Sequence, residues 1–183
     1  MNTGTLTLEK IKIAEIQNIS DVDRLRDLAL NNKDGKYSIK KEWVGKDARL
    51  FLEKLGINAD PRLIICEVPK DHPFISVEMM MPILGIVRVK NIDEAIDLAC
   101  KAEHGNRHTA HMHSKNIDNL SRFAKEVETT IFVKNAPSYA GIGFGGEGHS
   151  TFTIAGPTGE GITSAKSFTR LRRCVMADHF RII

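Results

Sequence analysis

Apolar and polar residues alternate through residues 6–16 (LTLEKIKIAEI), the period-two pattern of a half-buried strand. The period then changes. In VDRLRDLALNN, Val22, Leu25, Leu28 and Ala29 fall on one helical face, and Ser20 and Asp21 offer the capping oxygens. NKDGKYS breaks the pattern as a loop that turns at Asp34-Gly35. VGKDARLFLEKLG restores a helical period, with Gly56 at the C-terminal cap position. RLIICEV (62–68) and PILGIVRVK (82–90) are apolar, β-branched runs beside prolines and read as buried strands. NIDEAIDLACKAEHG is the clearest helix. Asn91 caps it, Asp93 and Glu94 suit its first turn, Ile92, Ala95, Ile96, Ala99 and Cys100 form its stripe, and Gly105 stops it. RHTAHMHS then reads as a strand, IDNLSRFAKEV as a helix and TTIFVKN as a strand. Strands alternating with helices of this length predict an α/β domain with a mostly parallel sheet.

After Asn135 the periodicity stops. Residues 136–161 hold eight of the fourteen glycines and two of the six prolines. That composition predicts a long structured loop, of the sort a compact domain keeps for function. KSFTRLRRCVMADHFRII closes the chain with a basic segment and an apolar tail.

Composition narrows the classes. The 183 residues are 42% hydrophobic and 27% charged, an ordinary globular balance. A net charge of +3, spread along the chain, does not by itself point to nucleic acid. Three scattered cysteines, Cys66, Cys100 and Cys174, offer neither a disulfide framework nor a CxxC metal knuckle. The first residues lack the apolar core of a signal peptide. The longest apolar run, MMMPILGIV, is half a membrane span and contains Pro82. The expectation is a soluble, cytoplasmic protein.

Four stretches carry candidate chemistry. Four of the seven histidines, His104, His108, His111 and His113, fall within residues 102–116. On a strand, His111 and His113 share a face with Arg107 and Thr109, while His108 shares the other with Ala110 and Met112. A zinc site needs a third ligand, and no HExxH or similar spacing supplies one, so no metal is expected. His104, His111 and His113 read as surface residues. His108 is either a satisfied core histidine or a tuned acid/base. The glycine run GIGFGGEG contains G-x-G-x-G-G, but it lies near the C-terminus and HSTFTIAGP after it is not helical. It therefore differs from a dinucleotide fingerprint, and backbone that bends tightly or approaches a ligand is the better account. Lys166, Arg170, Arg172 and Arg173 could meet phosphates or form a solvated face. Glu78 is a lone carboxylate beside an apolar run, either a surface residue or a hydroxyl acceptor at a pocket rim.

As a set, these residues resemble the C-terminal half of CoA-acylating aldehyde dehydrogenases, in particular the propionaldehyde and acetaldehyde enzymes of propanediol and ethanolamine utilisation in bacterial microcompartments. The matching stretches are VGKDA, EVPKDHPF, VEMMMPILGIVRVKNIDEAIDLA, GNRHTAHMHSKNID, TIFVKNAPSYAGIGFGGEG and TIAGPTGEGITSAKSFTRLRRCV. The resemblance implies a three-layer α/β catalytic domain over residues 1–135. It implies that residues 136–183, the glycine-rich loop and an oligomerisation-type tail, pack on an N-terminal NAD-binding half or a neighbouring subunit. It implies oxidation of a short-chain aldehyde to acyl-CoA with NAD and CoA, through a cysteine thioester. Glu78 matches the glutamate that binds the nicotinamide ribose, His108 a histidine of the acylating branch that assists the CoA step, and Phe144 the aromatic residue of the aldehyde pocket.

The chain departs from the pattern at its start. Aligned on Glu9-Lys10, the family's nucleophilic cysteine falls near Leu6, in NTGTLTLEK, and the first cysteine here is Cys66. The expectation is a catalytic-domain fragment, inactive alone, with the NAD-binding half and any microcompartment-targeting helix absent. Three other readings stand beside it. They are a non-catalytic assembly or cargo protein that joins full-length subunits, a polyanion binder acting through the basic segment, and an acyl-phosphate reductase, against which GPTGEG and FTRLRR speak.

Overall fold

Residues 12–143, 163–175 and 177 are described by a computed structural model of the chain. It divides into two units, Met1–Leu98 and Ala99–Ile183.

The first unit begins with strand β1 (Ile13–Ile16) and helix α1 (Ile19–Ala29). The expected helix is present, but its cap lies two residues ahead of the nearer of the two caps read from the sequence. Asn18, not Ser20 or Asp21, sits at the N-cap, and its Oδ1 accepts from the Ser20 amide at 3.0 Å. Val22, Leu25 and Ala29 are buried along α1, as the apolar spacing predicts. The loop expected at 32–38 is instead an antiparallel hairpin, β2 (Leu30–Lys33) with β3 (Lys36–Ile39), with Lys33 opposite Lys36. Asp34 and Gly35 turn it with φ of +53° and +79°. Two consecutive left-handed residues twist the chain as the paired strands do, which is why Asp-Gly suits this turn.

Helix α2 (Ala48–Leu55) buries Ala48, Phe51, Leu52 and Leu55, a stripe at i, i+3, i+4 and i+7, and Gly56 ends it at φ +83°. Strand β4 (Leu63–Glu67), the short helix α3 (Pro73–Ser76) and strand β5 (Ile83–Ile86) complete the unit. The sheet order is β1-β4-β5 and both pairings are parallel, with Ile13 beside Leu63 and Ile64 beside Ile83. Parallel neighbours require crossovers, and the helices supply them. Ile16, Leu25, Phe51, Leu52, Ile64, Cys66 and Ile83 lie in one buried cluster.

His72 joins α3 to this cluster. Its Nδ1 accepts from the Phe74 amide at 3.1 Å, and its ring meets the Phe74 ring edge-on at 4.6 Å. A ring that accepts at Nδ1 carries its proton on Nε2, and Nε2 is buried without a hydrogen-bond partner. Burial holds the His72 pKa below its ordinary value near 6.5, and the Arg26 guanidinium lowers it further, against the opposing pull of Asp23 and Asp71. The unfolded chain therefore binds this proton more readily than the folded one. Stability from His72 is present above pH 6.5 and is lost as pH falls toward and through the lower folded value. We expect denaturant midpoints to drop on acidification below pH 6.5 and His72→Gln to flatten that limb. An unchanged slope in the variant would rule His72 out as its source.

Helix α4 (Ile92–Glu103) begins in the first unit and ends in the second. Asn91 caps it as expected, its Oδ1 accepting from the Glu94 amide at 2.9 Å. The second unit continues with β6 (Thr109–Met112), α5 (Ile117–Val127) and β7 (Ile131–Lys134), and β6 and β7 pair in parallel with Thr109 beside Ile131. Asn116 caps α5 by accepting from the Asp118 and Asn119 amides. Leu120, Phe123 and Val127 are its buried face, and Phe123 and Phe132 meet edge-on at 5.5 Å. Asn135, at φ +52°, fastens the ends of the two strands. Its Oδ1 accepts from the Ser114 amide at 2.7 Å and its Nδ2 donates to the Ser114 carbonyl at 2.8 Å.

The chain then makes a short 3-10 turn, Ser138–Ile142, against β7. A Cβ on Gly141 would run into the Ile131 side chain and lie 2.9 Å from Val133 Cγ2, both on buried residues. Gly141→Ala should therefore cost about 1–3 kcal/mol of stability, the usual range for overpacking, read as a lowered urea midpoint. A neutral result would mean that the turn moves away from β7 freely.

Candidate functional site

Three of the sequence candidates bear on chemistry. Glu78 lies in the first unit, His108 in the second, and Phe144 outside the described residues.

Glu78 follows α3, precedes β5 and is exposed. Its carboxylate makes no hydrogen bond or ion pair among the described residues, so both oxygens remain available to accept. Beyond it, Met80 adopts φ +49°, and its carbonyl accepts from the Gly45 amide at 3.2 Å. The same backbone turn borders a cleft of about 630 Å³ at the amino-terminal ends of β4 and β5, where Lys46, Asp60, Arg62, Met80 and Pro82 line it. The fold thus presents a free carboxylate two residues from an open cleft.

His108 is placed differently from the expectation. Strand β6 starts at Thr109, so His108 precedes it, is exposed, and shares no strand face with Ala110 and Met112. The reason is local. Arg107 has φ +51°, which ends the extended conformation that alternation of faces assumes. His104 at φ +57° and Gly105 at φ +73° bring the chain out of α4. The His108 amide donates to Glu103 Oε1 at 3.1 Å, its carbonyl accepts from the Ile131 amide at 3.1 Å, and its Nδ1 lies 2.7 Å from Thr109 Oγ1. Backbone and ring are thus both anchored, and among the described residues Nε2 makes no hydrogen bond. Thr109 and Glu103 were missed by sequence reasoning. An adjacent threonine is a common strand residue, and the Glu103 contact depends on three left-handed residues between α4 and β6.

The other histidines carry less. His111 Nδ1 is 3.4 Å from the Ser138 hydroxyl, and the His111 and His113 rings meet edge-on at 6.0 Å, both residues exposed. Among the described residues, no three His, Cys, Asp or Glu side chains gather to hold a metal ion. Also among them, no helix is long and apolar enough to cross a membrane. Lys166, Arg170, Arg172 and Arg173 are all exposed, Lys166 within a 3-10 turn, Ala165–Phe168.

The cysteines divide by environment. Cys66, in the middle of β4, is fully buried, and desolvation pushes its thiol pKa up to about 11. A thiol held protonated is a poor nucleophile. Cys174 is exposed. At pH 8 a thiol-specific disulfide reagent should modify Cys174 at once and Cys66 only upon unfolding. Fast labelling of Cys66 in the native chain would contradict its burial.

Residues 40–173 match the sequence pattern of the Aldehyde dehydrogenase family. The chain is 50% identical over 168 residues to the acetaldehyde dehydrogenase (acetylating) EutE of Salmonella typhimurium, covering 90% of this chain and 36% of that enzyme. It superposes on the crystal structure of Rhodopseudomonas palustris propionaldehyde dehydrogenase, bound to CoA with an acylated cysteine. The TM-score is 0.84 at 54% identity, over 92% of this chain and 38% of that one. The propionaldehyde dehydrogenase from the Clostridium phytofermentans fucose utilisation microcompartment gives a TM-score of 0.81 at 51% identity, over 92% and 38% of the two chains. The chain therefore spans little more than a third of the length of the relatives it matches.

Proposed function

Because the chain belongs to the aldehyde dehydrogenase family, we propose that it is the catalytic-domain part of a CoA-acylating aldehyde dehydrogenase. The enzyme converts a short-chain aldehyde, CoA and NAD to acyl-CoA and NADH. The observation that carries this reading is identity at half of all positions, over 90% of the chain, to an acetylating enzyme. In this reading residues 1–135 form the catalytic domain, and residues 136–183 pack on the NAD-binding half or a neighbouring subunit. A microcompartment is the expected setting of the full-length enzyme.

Glu78 suits a dinucleotide, because a free, exposed carboxylate beside a cleft can accept from both hydroxyls of a ribose. Bound NAD supplies the hydride acceptor. In this reading Glu78 orients it, and Phe144 is the residue that the family resemblance assigns to the aldehyde pocket. His108 serves the second half-reaction. A CoA thiol must lose its proton before it attacks a thioester, and an imidazole with an open Nε2 can take that proton. The new carbon–sulfur bond forms as the cysteine leaves as a thiolate, so the enzyme thiolate is regenerated and the proton rests on His108 Nε2.

The nucleophilic cysteine is not among Cys66, Cys100 and Cys174 in this reading, and Cys66 is excluded by its burial. The 183-residue polypeptide alone should therefore show no turnover. An enzyme that carries it after an NAD-binding half should form NADH and acyl-CoA together from acetaldehyde or propionaldehyde. NADH formed with free carboxylic acid instead of the thioester would sink the acylating assignment. Turnover by the isolated chain would sink the assignment of the nucleophile to another segment. Capture of a full-length dehydrogenase by an inactive chain would favour the assembly role.

A further inference from the structure

We propose that Thr109 is the positioning residue that fixes the tautomer of His108, a step that rests on the reading of His108 as the base toward the CoA thiol. A neutral imidazole has one donor and one acceptor nitrogen. It can take a thiol proton at Nε2 only when the ring proton sits on Nδ1. His108 Nδ1 lies 2.7 Å from Thr109 Oγ1, a strong hydrogen-bond distance, whereas the comparable contact of His111 with the Ser138 hydroxyl is 3.4 Å. Thr109 Oγ1 can accept the Nδ1 proton in both the neutral ring and the imidazolium, so the contact survives the proton transfer. A hydroxyl can also donate, and a Thr109 that donates to Nδ1 would leave the neutral ring protonated on Nε2, so the ring's tautomer reads which side of the contact holds the proton.

The backbone makes this contact reproducible. The His108 amide is held by Glu103 Oε1 at 3.1 Å, and its carbonyl accepts from the Ile131 amide at 3.1 Å. Glu103 is itself tied into the turn, since its carbonyl accepts from both the Asn106 amide and the Asn106 Nδ2. Thr109 is the first residue of β6, paired with Ile131. Ring, backbone and partner hydroxyl are therefore registered to one end of the β6–β7 ladder. With Nδ1 engaged by Thr109, Nε2 is the nitrogen left for substrate. This is the logic by which a hydrogen bond at one ring nitrogen selects the chemistry of the other.

The test uses the 183-residue chain labelled with ¹⁵N-histidine. His108 signals are assigned by their loss in His108→Ala. Nitrogen shifts above the ring's titration should place the proton on Nδ1. Thr109→Val should move the ring toward the Nε2–H form, and Thr109→Ser should restore it. In an enzyme that carries the chain, Thr109→Val should slow acyl transfer to CoA about tenfold, the size of one hydrogen bond. Its hydride transfer should be unchanged, and Thr109→Ser should recover the loss. A wild-type ring protonated on Nε2, or a tautomer indifferent to Thr109→Val, overturns the inference while the acylating function stands. A ring protonated on Nδ1, together with normal acyl transfer in His108→Ala, keeps the positioning by Thr109. It removes His108 from the mechanism.

Discussion

His108→Ala, in an enzyme that carries this chain, is expected to slow acyl transfer to CoA by about 10²–10⁴-fold, the usual contribution of a positioned general base. The physical reason is specific to one half-reaction. In the proposed mechanism, thioester formation uses the cysteine thiolate and an oriented hydride acceptor, and His108 acts only afterwards. Cleavage by CoA needs a deprotonated thiol at neutral pH. A free thiol, with an ordinary pKa near 8.5, is mostly protonated there. Rapid mixing separates the two steps, because NADH appears in the first and CoA is consumed only in the second. The variant should give a normal NADH burst followed by slow decay of the acyl-enzyme. Equal losses in burst and decay would show that the substitution perturbs the site as a whole. The backbone contacts of His108 make such damage small, since alanine keeps both the amide bonded to Glu103 and the carbonyl bonded to Ile131.

The second large effect is on stability. Phe51→Ala should cost about 3–5 kcal/mol, the range for removing a buried aromatic ring. Phe51 is fully buried on α2, and its ring lies 4.6 Å from that of Trp43 at a 40° tilt. Alanine would lose that stacking and open a cavity against the buried cluster containing Leu25, Leu52 and Ile64. Urea denaturation should show a lower midpoint, and Trp43 fluorescence should report the loss directly. Phe51→Leu should recover much of it. A loss below about 1 kcal/mol, far under the usual cost of such truncations, would mean that the ring is not enclosed.

Much of this was legible in the chain. The α2 stripe that buries Phe51 follows from its spacing, as do the caps at Asn91 and Gly56. Those features depend on residues within one turn of each other, and local sterics and hydrogen bonding decide them. The Asp34-Gly35 turn was legible as well, but not the strands β2 and β3. Their residues, LNNK and KYSI, are mostly polar and exposed, so no apolar alternation announces them. The helix α3 is a single turn between prolines and strands, too short to show a period.

The site divides along the same line. The residue types of Glu78 and His108, and the family pattern around them, were fixed by sequence alone. What only the tertiary structure decided is how His108 is held. Alternation placed it on a strand face beside Ala110 and Met112, because that argument treats residues 107–114 as uniformly extended. A left-handed Arg107, and a ladder register that pairs Thr109 with Ile131 from a strand over twenty residues away in sequence, set it ahead of β6 instead. Periodicity reports the average direction of side chains within an element. It carries no information about where pairing with a distant strand makes that element begin, and that boundary sets His108 Nδ1 against Thr109 Oγ1.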